Sequence, residues 1–260
     1  MLYFEKYEAN GNDFIIVNEI VDKAVIPKIC NRHFGVGSDG FIIVRNENNT
    51  FYMDYYNADG SRASLCGNGL RCVGKYLQKN KFIDSNTFTV KTEVGDKVGF
   101  INPDGSITIN LGKPIIKYLN EEVRIENRIF LVALVELGVW HGVIYLGNLD
   151  EELMYKYAPL LSKHPQYSSH INVNFCEIIS KDHIKIVTYE RGVGFTNACG
   201  TGACCSYIVG KTLYNLNNQV KIIFKGGEAF IEEKADGIYL TGKAKFICRG
   251  YYEREEELNA

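Results

Sequence analysis

The sequence is informative first for what it lacks. No apolar stretch in the 260-residue chain approaches the roughly 20 residues that a membrane-spanning helix requires. The N-terminus carries acidic residues where a signal peptide would have an unbroken apolar segment. The formal net charge is only -2, so there is no basic field of the kind that binds nucleic acid. We therefore expect a cytoplasmic protein with neither a nucleic-acid nor a membrane partner.

Cysteine, in contrast, is abundant, with eight in the chain. Their spacing is irregular and no secretory signal accompanies them, so we expect reduced thiols rather than a disulfide framework. A Cys-x-x-Cys redox motif is absent, and the spacings differ from the paired ligands typical of zinc sites. A redox protein and a structural zinc protein are therefore both disfavoured, and we expect no metal.

Two of the cysteines lie in blocks that repeat each other. Cys66–Cys72 and Cys199–Cys205 share the pattern C-G-x-G-x-x-C and begin 133 residues apart. A polar residue precedes each first cysteine by nine positions, Asn57 in one block and Glu190 in the other. The repeat predicts two similar halves, each with a thiol where a glycine-rich turn opens a helix.

The rest of the chain is mostly strand-like. Short runs rich in β-branched and aromatic residues, bounded by turn residues, recur in both halves. Helices are predicted at Val25–His33, Gly69–Asn80, Glu151–Lys163 and Thr201–Asn215. The sequence therefore predicts an α+β fold of two pseudo-symmetric, strand-rich domains, 1–114 and 115–249, each with a central helix, and an active site in the cleft between them.

The two repeated blocks suggest a specific chemistry. Glycines let the backbone approach a ligand closely, and the N-terminus of the following helix favours a bound carboxylate. The same field favours thiolate over thiol at Cys66 and Cys199. If the two thiols flank one α-carbon, one removes a proton and the other returns a proton to the opposite face, so the carbon is inverted.

A lone cysteine in a glycine-rich turn is more often structural than catalytic, because most free cysteines behave as small buried hydrophobes. Two copies at matched positions favour catalysis for Cys66 and Cys199. The remaining cysteines are expected to be packing residues of the core: Cys30, Cys72, Cys176, Cys204, Cys205 and Cys248.

At these residues the chain resembles the diaminopimelate epimerase family of racemases and epimerases, which use no pyridoxal phosphate. The matching segments, which extend over nearly the whole chain, are Gly11–Phe14, Arg32–Gly40, Asn57–Ser61, Cys66–Cys72, Asn172–Val173, Glu190–Gly194 and Ala198–Gly202. The resemblance implies two barrel-like domains, each around a central helix, with the tail 250–260 returning to the first domain. It also implies a cofactor-free mechanism with two cysteines.

The resemblance further implies roles for individual residues. Cys66 and Cys199 would be the acid–base pair. The backbone N–H groups of Gly67, Asn68, Gly200 and Thr201 would hold the substrate carboxylate. Glu190 would meet the α-ammonium group. The rest of the substrate would contact Asn12, Asn57, Asn172 and Arg191.

Three positions depart from the usual pattern of this family. Where the family carries Gly-Asn-Pro-His, this chain has Val139 and Trp140 before His141. Asn174 replaces a glutamate in the motif that begins at Asn172. Because a buried polar group that loses its partner is costly, we interpret Val139, Trp140 and His141 as specificity candidates and expect a less polar distal pocket.

The sequence thus predicts a cofactor-independent amino-acid racemase or epimerase with a small-molecule amino acid as substrate. The departures favour a changed side-chain preference, for which histidine is a candidate because related histidine racemases belong to the same superfamily. An authentic diaminopimelate epimerase is the alternative, and Asn57 and Arg191 would suit its distal carboxylate. A non-catalytic amino-acid-binding protein is an alternative of another class. A homodimer is compatible with the sequence, which leaves the oligomeric state open.

Overall fold

The computed structural model describes residues 1–253, so most of the expected C-terminal tail, 254–260, lies outside the described residues. Within that range the chain forms 18 strands and four helices. The strand-rich fold with few helices that the sequence predicts is confirmed.

The first half of the chain contains eight strands and two helices. In order they are β1 (Leu2–Ala9), β2 (Asn12–Val17), α1 (Val25–Cys30), β3 (Gly40–Glu47), β4 (Thr50–Asn57), β5 (Arg62–Ala63), α2 (Gly67–Lys79), β6 (Thr87–Thr92), β7 (Gly95–Ile101) and β8 (Ile107–Asn110).

The second half contains ten strands and two helices. In order they are β9 (Ile115–Ile125), β10 (Arg128–Glu136), β11 (Trp140–Leu146), α3 (Glu151–Ser162), β12 (Asn172–Ser180), β13 (His183–Glu190), β14 (Gly194–Thr196), α4 (Gly200–Tyr214), β15 (Gln219–Phe224), β16 (Gly227–Lys234), β17 (Gly237–Gly242) and β18 (Lys245–Tyr252).

The chain divides into two compact units. Within the described residues, unit 1 comprises Met1–Ile109 and residues 242–253, and unit 2 comprises Asn110–Thr241. In unit 1, β18, β1 and β2 are antiparallel neighbours, β2 and β3 are parallel, and β4 pairs with β3, β5 and β6. In unit 2, β9 to β11 are antiparallel neighbours, β11 and β12 are parallel, and β13 pairs with β12, β14 and β15. The two units therefore repeat one pattern of strand pairing.

In each unit, one face of the strands packs against the shorter of the unit's two helices. In unit 1 the buried side chains of α1 meet alternate residues of β2, including Ile15 and Val17. In unit 2 the buried side chains of α3 meet Ile144 on β11 and its neighbours on β12. Because side chains alternate along a strand, the residues between them point to the opposite face. That alternation directs Asn12 toward α2 and His141 toward α4.

The helices α2 and α4 are the most buried helices of their units. α2 packs against β1, β2, β7 and β18, and α4 packs against strands that include β10 to β13 and β16. Strands from distant positions in the sheet order therefore contact the same helix. The described helix starts, Gly67 and Gly200, lie two and one residues before the predicted ones, because a cysteine side chain caps each helix.

The predicted first helix is wrong at its end, since α1 stops at Cys30 rather than at His33. Asn31 leaves the helix with an extended backbone, and its Oδ1 accepts hydrogen bonds from the backbone N–H groups of His33 and Phe34. This short turn replaces the last turn of helix. None of the helices within residues 1–253 is long and apolar enough to cross a membrane.

Candidate active site

Cys66 is the N-cap residue of α2. Its backbone is extended, and its Sγ accepts a hydrogen bond from the backbone N–H of Gly69 at 3.3 Å. An N-cap side chain takes up one of the backbone donors that a helix leaves unpaired at its start. The sulfur therefore lies at the positive end of a buried helix, where a negative charge is stabilised.

Cys199 occupies the same position on α4. Its Sγ accepts a hydrogen bond from the backbone N–H of Gly202 at 3.4 Å, and its side chain is buried with 6% of its surface exposed. Cys66 itself is half-buried, but each cysteine is followed in the first turn by two buried residues: Gly67, Asn68, Gly200 and Thr201. The two blocks recognised in the sequence thus form two equivalent capped helix starts.

Close approach explains the glycine at the third helical position of α4. A β-carbon added to Gly202 would collide with Oδ1 of Asn174 and would lie 3.3 Å from Sγ of Cys199. At Gly69 it would lie 3.1 Å from methyl groups of Ile42 and Met53. The glycines of C-G-x-G therefore let neighbouring side chains pack directly on the helix start.

Around Cys66, a network of amide side chains connects β2 with α2. Arg71 is fully buried, and its Nη2 donates to Oδ1 of Asn68 at 2.7 Å and to Oδ1 of Asn10 at 2.6 Å. Nδ2 of Asn68 donates to Oδ1 of Asn12 at 3.3 Å, and Nδ2 of Asn12 donates to Asp39 at 2.9 Å. Oδ1 of Asn12 lies 3.8 Å from Sγ of Cys66.

Around Cys199 the network contains a buried imidazole. Nε2 of His141 lies 3.0 Å from Oγ1 of Thr201, which lies 3.5 Å from Sγ of Cys199. Nδ1 of His141 lies 3.1 Å from Nδ2 of Asn174, whose Oδ1 accepts from the hydroxyl of Thr188 at 2.9 Å. Burial lowers the pKa of His141 to about 3, so the imidazole is neutral at neutral pH.

Four further predicted residues lie at strand ends in their own units. Asn57 ends β4 and donates to Ser61, and Glu190 ends β13 and accepts from Thr196 at 2.7 Å. Asn172 begins β12, and its Oδ1 accepts from the backbone N–H of Arg191 at 2.8 Å. The guanidinium of Arg191 is exposed and donates to the carbonyl of His170.

The specificity candidates lie on different sides of β11. Trp140 packs against the hydrophobic core that contains α3, with Lys117 5.5 Å above its ring. His141 faces α4, and Val139 is half-buried in the turn before the strand. The bulk of Trp140 is therefore directed away from the Cys199 helix start.

The other cysteines separate into buried and exposed positions. Burial raises the pKa of Cys30 to about 11 and of Cys176 to about 12, and it raises the pKa values of Cys72 and Cys205 well above the usual range. These thiols, and buried Cys204, are the packing residues that the sequence predicts. The expectation for Cys248 is wrong, because it lies on the exposed face of β18.

Five polar residues of these networks are not among the predicted site residues, including Asn10, which accepts from Arg71. Asp39 and Arg71 lie inside recognised motifs, and Asn174 was identified only as a departure from the family pattern. Thr188 had no local signal, because its relation to Asn174 depends on the pairing of β12 with β13. No group of three or more His, Cys, Asp or Glu side chains among residues 1–253 is arranged to hold a metal ion.

Comparison with known proteins identifies the family to which the chain belongs. The sequence profile of the family described as diaminopimelate epimerase matches residues 4–117 and 133–247. A diaminopimelate epimerase from Alkaliphilus metalliredigens is 33% identical over 273 residues, which cover 96% of this chain and 96% of that protein. One from Clostridium perfringens is 35% identical over 271 residues, with 96% and 98% covered.

Solved structures share the fold. The crystal structure of a probable proline racemase from Agrobacterium radiobacter K84 superposes with a TM-score of 0.77 at 12% identity, covering 97% of this chain and 93% of that one. At this identity the similarity concerns the fold alone.

Proposed function

Because the chain belongs to the diaminopimelate epimerase family and is an isomerase of the amino-acid racemase and epimerase class, we propose that it inverts an amino-acid α-carbon with Cys66 and Cys199 and without a cofactor. The observation that carries this proposal is the equivalence of the two cysteines. Each caps a buried helix and accepts a backbone hydrogen bond at its sulfur.

The helix starts also suit the substrate carboxylate. The backbone N–H groups of the first helical turn lie beside each cysteine, at Gly67 and Asn68 in α2 and at Gly200 and Thr201 in α4. An anion at a helix start is stabilised by these donors and by the helix dipole. A carboxylate held there would bring its α-carbon next to the sulfur.

The reaction needs one proton to leave and one to arrive. In the proposed step, the thiolate of one cysteine takes the α-proton, and the electron pair left behind is delocalised into the carboxylate. The thiol of the other cysteine then donates its proton to the opposite face, which inverts the carbon. The oriented backbone donors stabilise the negative charge that develops on the carboxylate.

Polar strand ends would hold the rest of the substrate. We assign the α-ammonium group to the carboxylate of Glu190, which ends β13 beside the loop that leads to Cys199. Contacts with the side chain are assigned to Asn12, Asn57, Asn172 and Arg191. Arg191 has an exposed guanidinium, which suits a second carboxylate at the far end of a substrate.

Diaminopimelate is the substrate that we favour. The curated relatives described above are named diaminopimelate epimerases and match this chain over nearly their whole length. The structure also weakens one argument for a changed substrate, since Trp140 packs in the core of unit 2 and faces away from α4.

An altered side-chain preference, with histidine as the example, is the second candidate. The observation that favours it is Val139, a half-buried apolar residue in the turn before β11, where the family pattern has an asparagine amide. Without that amide, a polar group at the far end of the substrate would lose a partner.

A substrate screen in deuterated water tests the proposal and separates the candidates. The protein is incubated with LL-diaminopimelate, with L-histidine and with other L-amino acids, and loss of the α-proton signal is followed by NMR. We expect loss with LL-diaminopimelate and not with L-histidine, and the reverse would establish the second candidate. Tight binding of an amino acid without any α-exchange would instead indicate a binding protein.

A further inference from the structure

The two cysteines have equivalent positions, but their hydrogen-bond networks run in opposite directions. One network presents a donor to its sulfur, and the other presents an acceptor. Polarity can be assigned because each network ends at a group that can only donate or only accept. A guanidinium only donates, and a carboxylate or a backbone carbonyl only accepts. These end groups determine the orientation of every amide and ring between them.

In unit 2 the carbonyl oxygen of Gly142 determines the orientation. It lies 3.3 Å from the amide of Asn174, and only Nδ2 can donate to it. The same Nδ2 therefore donates to Nδ1 of His141, 3.1 Å away. Since the imidazole is neutral, its hydrogen must be on Nε2, which donates to Oγ1 of Thr201. The Thr201 hydroxyl hydrogen is then available to point at Sγ of Cys199.

In unit 1 the guanidinium of Arg71 and the carboxylate of Asp39 determine the orientation. Arg71 can only donate to Asn68, so Asn68 turns its Oδ1 to Arg71 and its Nδ2 to Asn12. Asp39 can only accept from Asn12, which leaves Oδ1 of Asn12 facing Sγ of Cys66. An amide oxygen accepts from a thiol but repels a thiolate.

We propose that the free protein holds Cys199 as the thiolate and Cys66 as the thiol, and that Asn174 and Asn12 are the positioning residues that create this difference. Sulfur at Cys199 receives a backbone N–H and a hydroxyl, and both donors stabilise negative charge. Sulfur at Cys66 receives the backbone N–H of Gly69 and faces the amide oxygen of Asn12, which disfavours negative charge.

The charged groups around Cys66 carry both signs and largely offset one another. Asp39 and Asp13 are both bridged by Arg32, and Asp13 also pairs with Lys6. Glu8, at the end of β1, and Asp13 both act electrostatically on Cys72 in the α2 helix, with Arg71 opposing them.

The titratable neighbours of Cys199 on β11 and α4 are a histidine and two thiols. His141 is neutral, and Cys204 and Cys205 are buried thiols on the same helix. Glu190 on β13 directs Oε1 to the hydroxyl of Thr196, and Arg191 extends into solvent. The Thr201 hydroxyl, 3.5 Å from Sγ, is therefore the group through which the His141 network acts on this sulfur.

The catalytic consequence rests on the proposed function. The empty protein would be ready for the stereoisomer whose α-proton faces Cys199. Each inversion would leave the proton on Cys199 and the negative charge on Cys66, so the thiols would have to exchange protons with solvent before the next turnover in the same direction.

The ionisation states can be measured without turnover. Each thiol's alkylation rate with iodoacetamide is followed against pH by peptide mass spectrometry, in a Cys248→Ser background because Cys248 is exposed. We expect the midpoint for Cys199 to lie at least about one pH unit below that for Cys66. Equal midpoints or the reverse order would overturn the proposal.

Variants test whether the Thr201 hydroxyl lowers the alkylation midpoint of Cys199. Thr201→Val should raise the Cys199 midpoint by about one pH unit, and Thr201→Ser should restore it, because serine keeps the donor. Asn12→Ala should lower the Cys66 midpoint by removing the acceptor. Thr188→Val is the matched control, since Gly142 still orients Asn174, and it should leave the Cys199 midpoint in place. An unchanged midpoint in Thr201→Val would contradict the hydroxyl's role.

The role of Asn174 has its own direct readout. In protein labelled with ¹⁵N-histidine, NMR should show the His141 hydrogen on Nε2 from pH 5 to 8, and Asn174→Asp should move it to Nδ1. A hydrogen on Nδ1 of His141 in the unmodified protein would contradict the proposal. These measurements do not depend on activity. If the alkylation midpoint of Cys199 lies below that of Cys66 but the protein inverts no amino acid, only the proposed function is refuted. If the protein inverts an amino acid but the two midpoints are equal, only the proposed difference in ionisation is refuted.

Discussion

Oδ1 of Asn174 occupies the space that a β-carbon on Gly202 would need. The two residues are 28 positions apart in the sequence, and they meet because β12 lies along α4. This contact packs a polar side chain against the first turn of the helix that Cys199 caps. It connects the packing of unit 2 with the chemistry proposed for its thiol.

Gly202→Ala is therefore expected to displace Asn174 and disturb the Cys199 helix start. Overpacking of this kind destabilises a fold by about 1–3 kcal/mol, and we expect inversion activity to fall with it. Urea unfolding and α-proton exchange measure the two effects. Gly147→Ala is the control, because a β-carbon there meets nothing within 4 Å. Equal stability of the two variants would contradict the steric account.

Replacing either Cys66 or Cys199 by alanine should abolish inversion while the substrate still binds. Removal of a proton-transferring group typically lowers a rate by about 10²–10⁴-fold, and a two-cysteine mechanism has no substitute for either thiol. Rates are measured by polarimetry and binding by calorimetry. Cys248→Ala is the matched control and should keep full activity, since Cys248 is exposed on β18. Near-normal inversion by either active-site variant would rule out the two-thiol mechanism.

The buried imidazole of His141 should make the fold sensitive to acid. Its pKa is lowered to about 3 by burial, whereas an unfolded histidine titrates near about 6.5, so the unfolded chain binds the proton more readily. Stability should therefore fall as the pH drops from about 6.5 toward 3, by up to about 1.4 kcal/mol per pH unit from this group.

Urea unfolding of the native protein and of His141→Gln across this pH range measures the effect. The slope of the unfolding free energy against pH should be shallower in the variant, because the glutamine side chain does not titrate. His33→Gln is the control, because His33 is exposed. Parallel slopes for the native protein and His141→Gln would show that His141 is not held neutral in the fold.

Val139→Asn tests whether Val139 weakens recognition of the far end of diaminopimelate. If distal recognition was weakened at this position, the amide should raise kcat/KM for LL-diaminopimelate by about 10-fold or more, because restored buried hydrogen bonds discriminate strongly between substrates. Val139→Ala separates polarity from size and should give no such gain. Lack of improvement in Val139→Asn would show that Val139 is compatible with diaminopimelate as it stands.

The sequence predicted the two helix starts because C-G-x-G is a local signal. Glycine, a capping side chain and the following helix all lie within four residues. The networks behind Cys66 and Cys199 could not be predicted in the same way. His141 and Asn174 are 33 residues apart, and their contact depends on the parallel register of β11 with β12.

Two other errors have local physical causes. Cys248 follows Phe246 and Ile247, which suggested a core position, but most of β18 is exposed. Trp140 is interpreted as a specificity candidate because it stands where the family pattern has a proline. Alternation along β11 places consecutive side chains on opposite faces, so Trp140 joins the α3 core while His141 faces α4.

The central claim is inversion by two distinct thiols, and the most direct test follows deuterium during the first few per cent of reaction. A single stereoisomer of the substrate is incubated with the protein in deuterated water, and substrate and product are then separated and their masses measured by mass spectrometry. Two thiols predict that the product carries one deuterium while the remaining substrate carries none, because the departing proton and the arriving deuteron use different groups. Product that retains the original hydrogen, or substrate that exchanges as fast as product forms, would contradict the account.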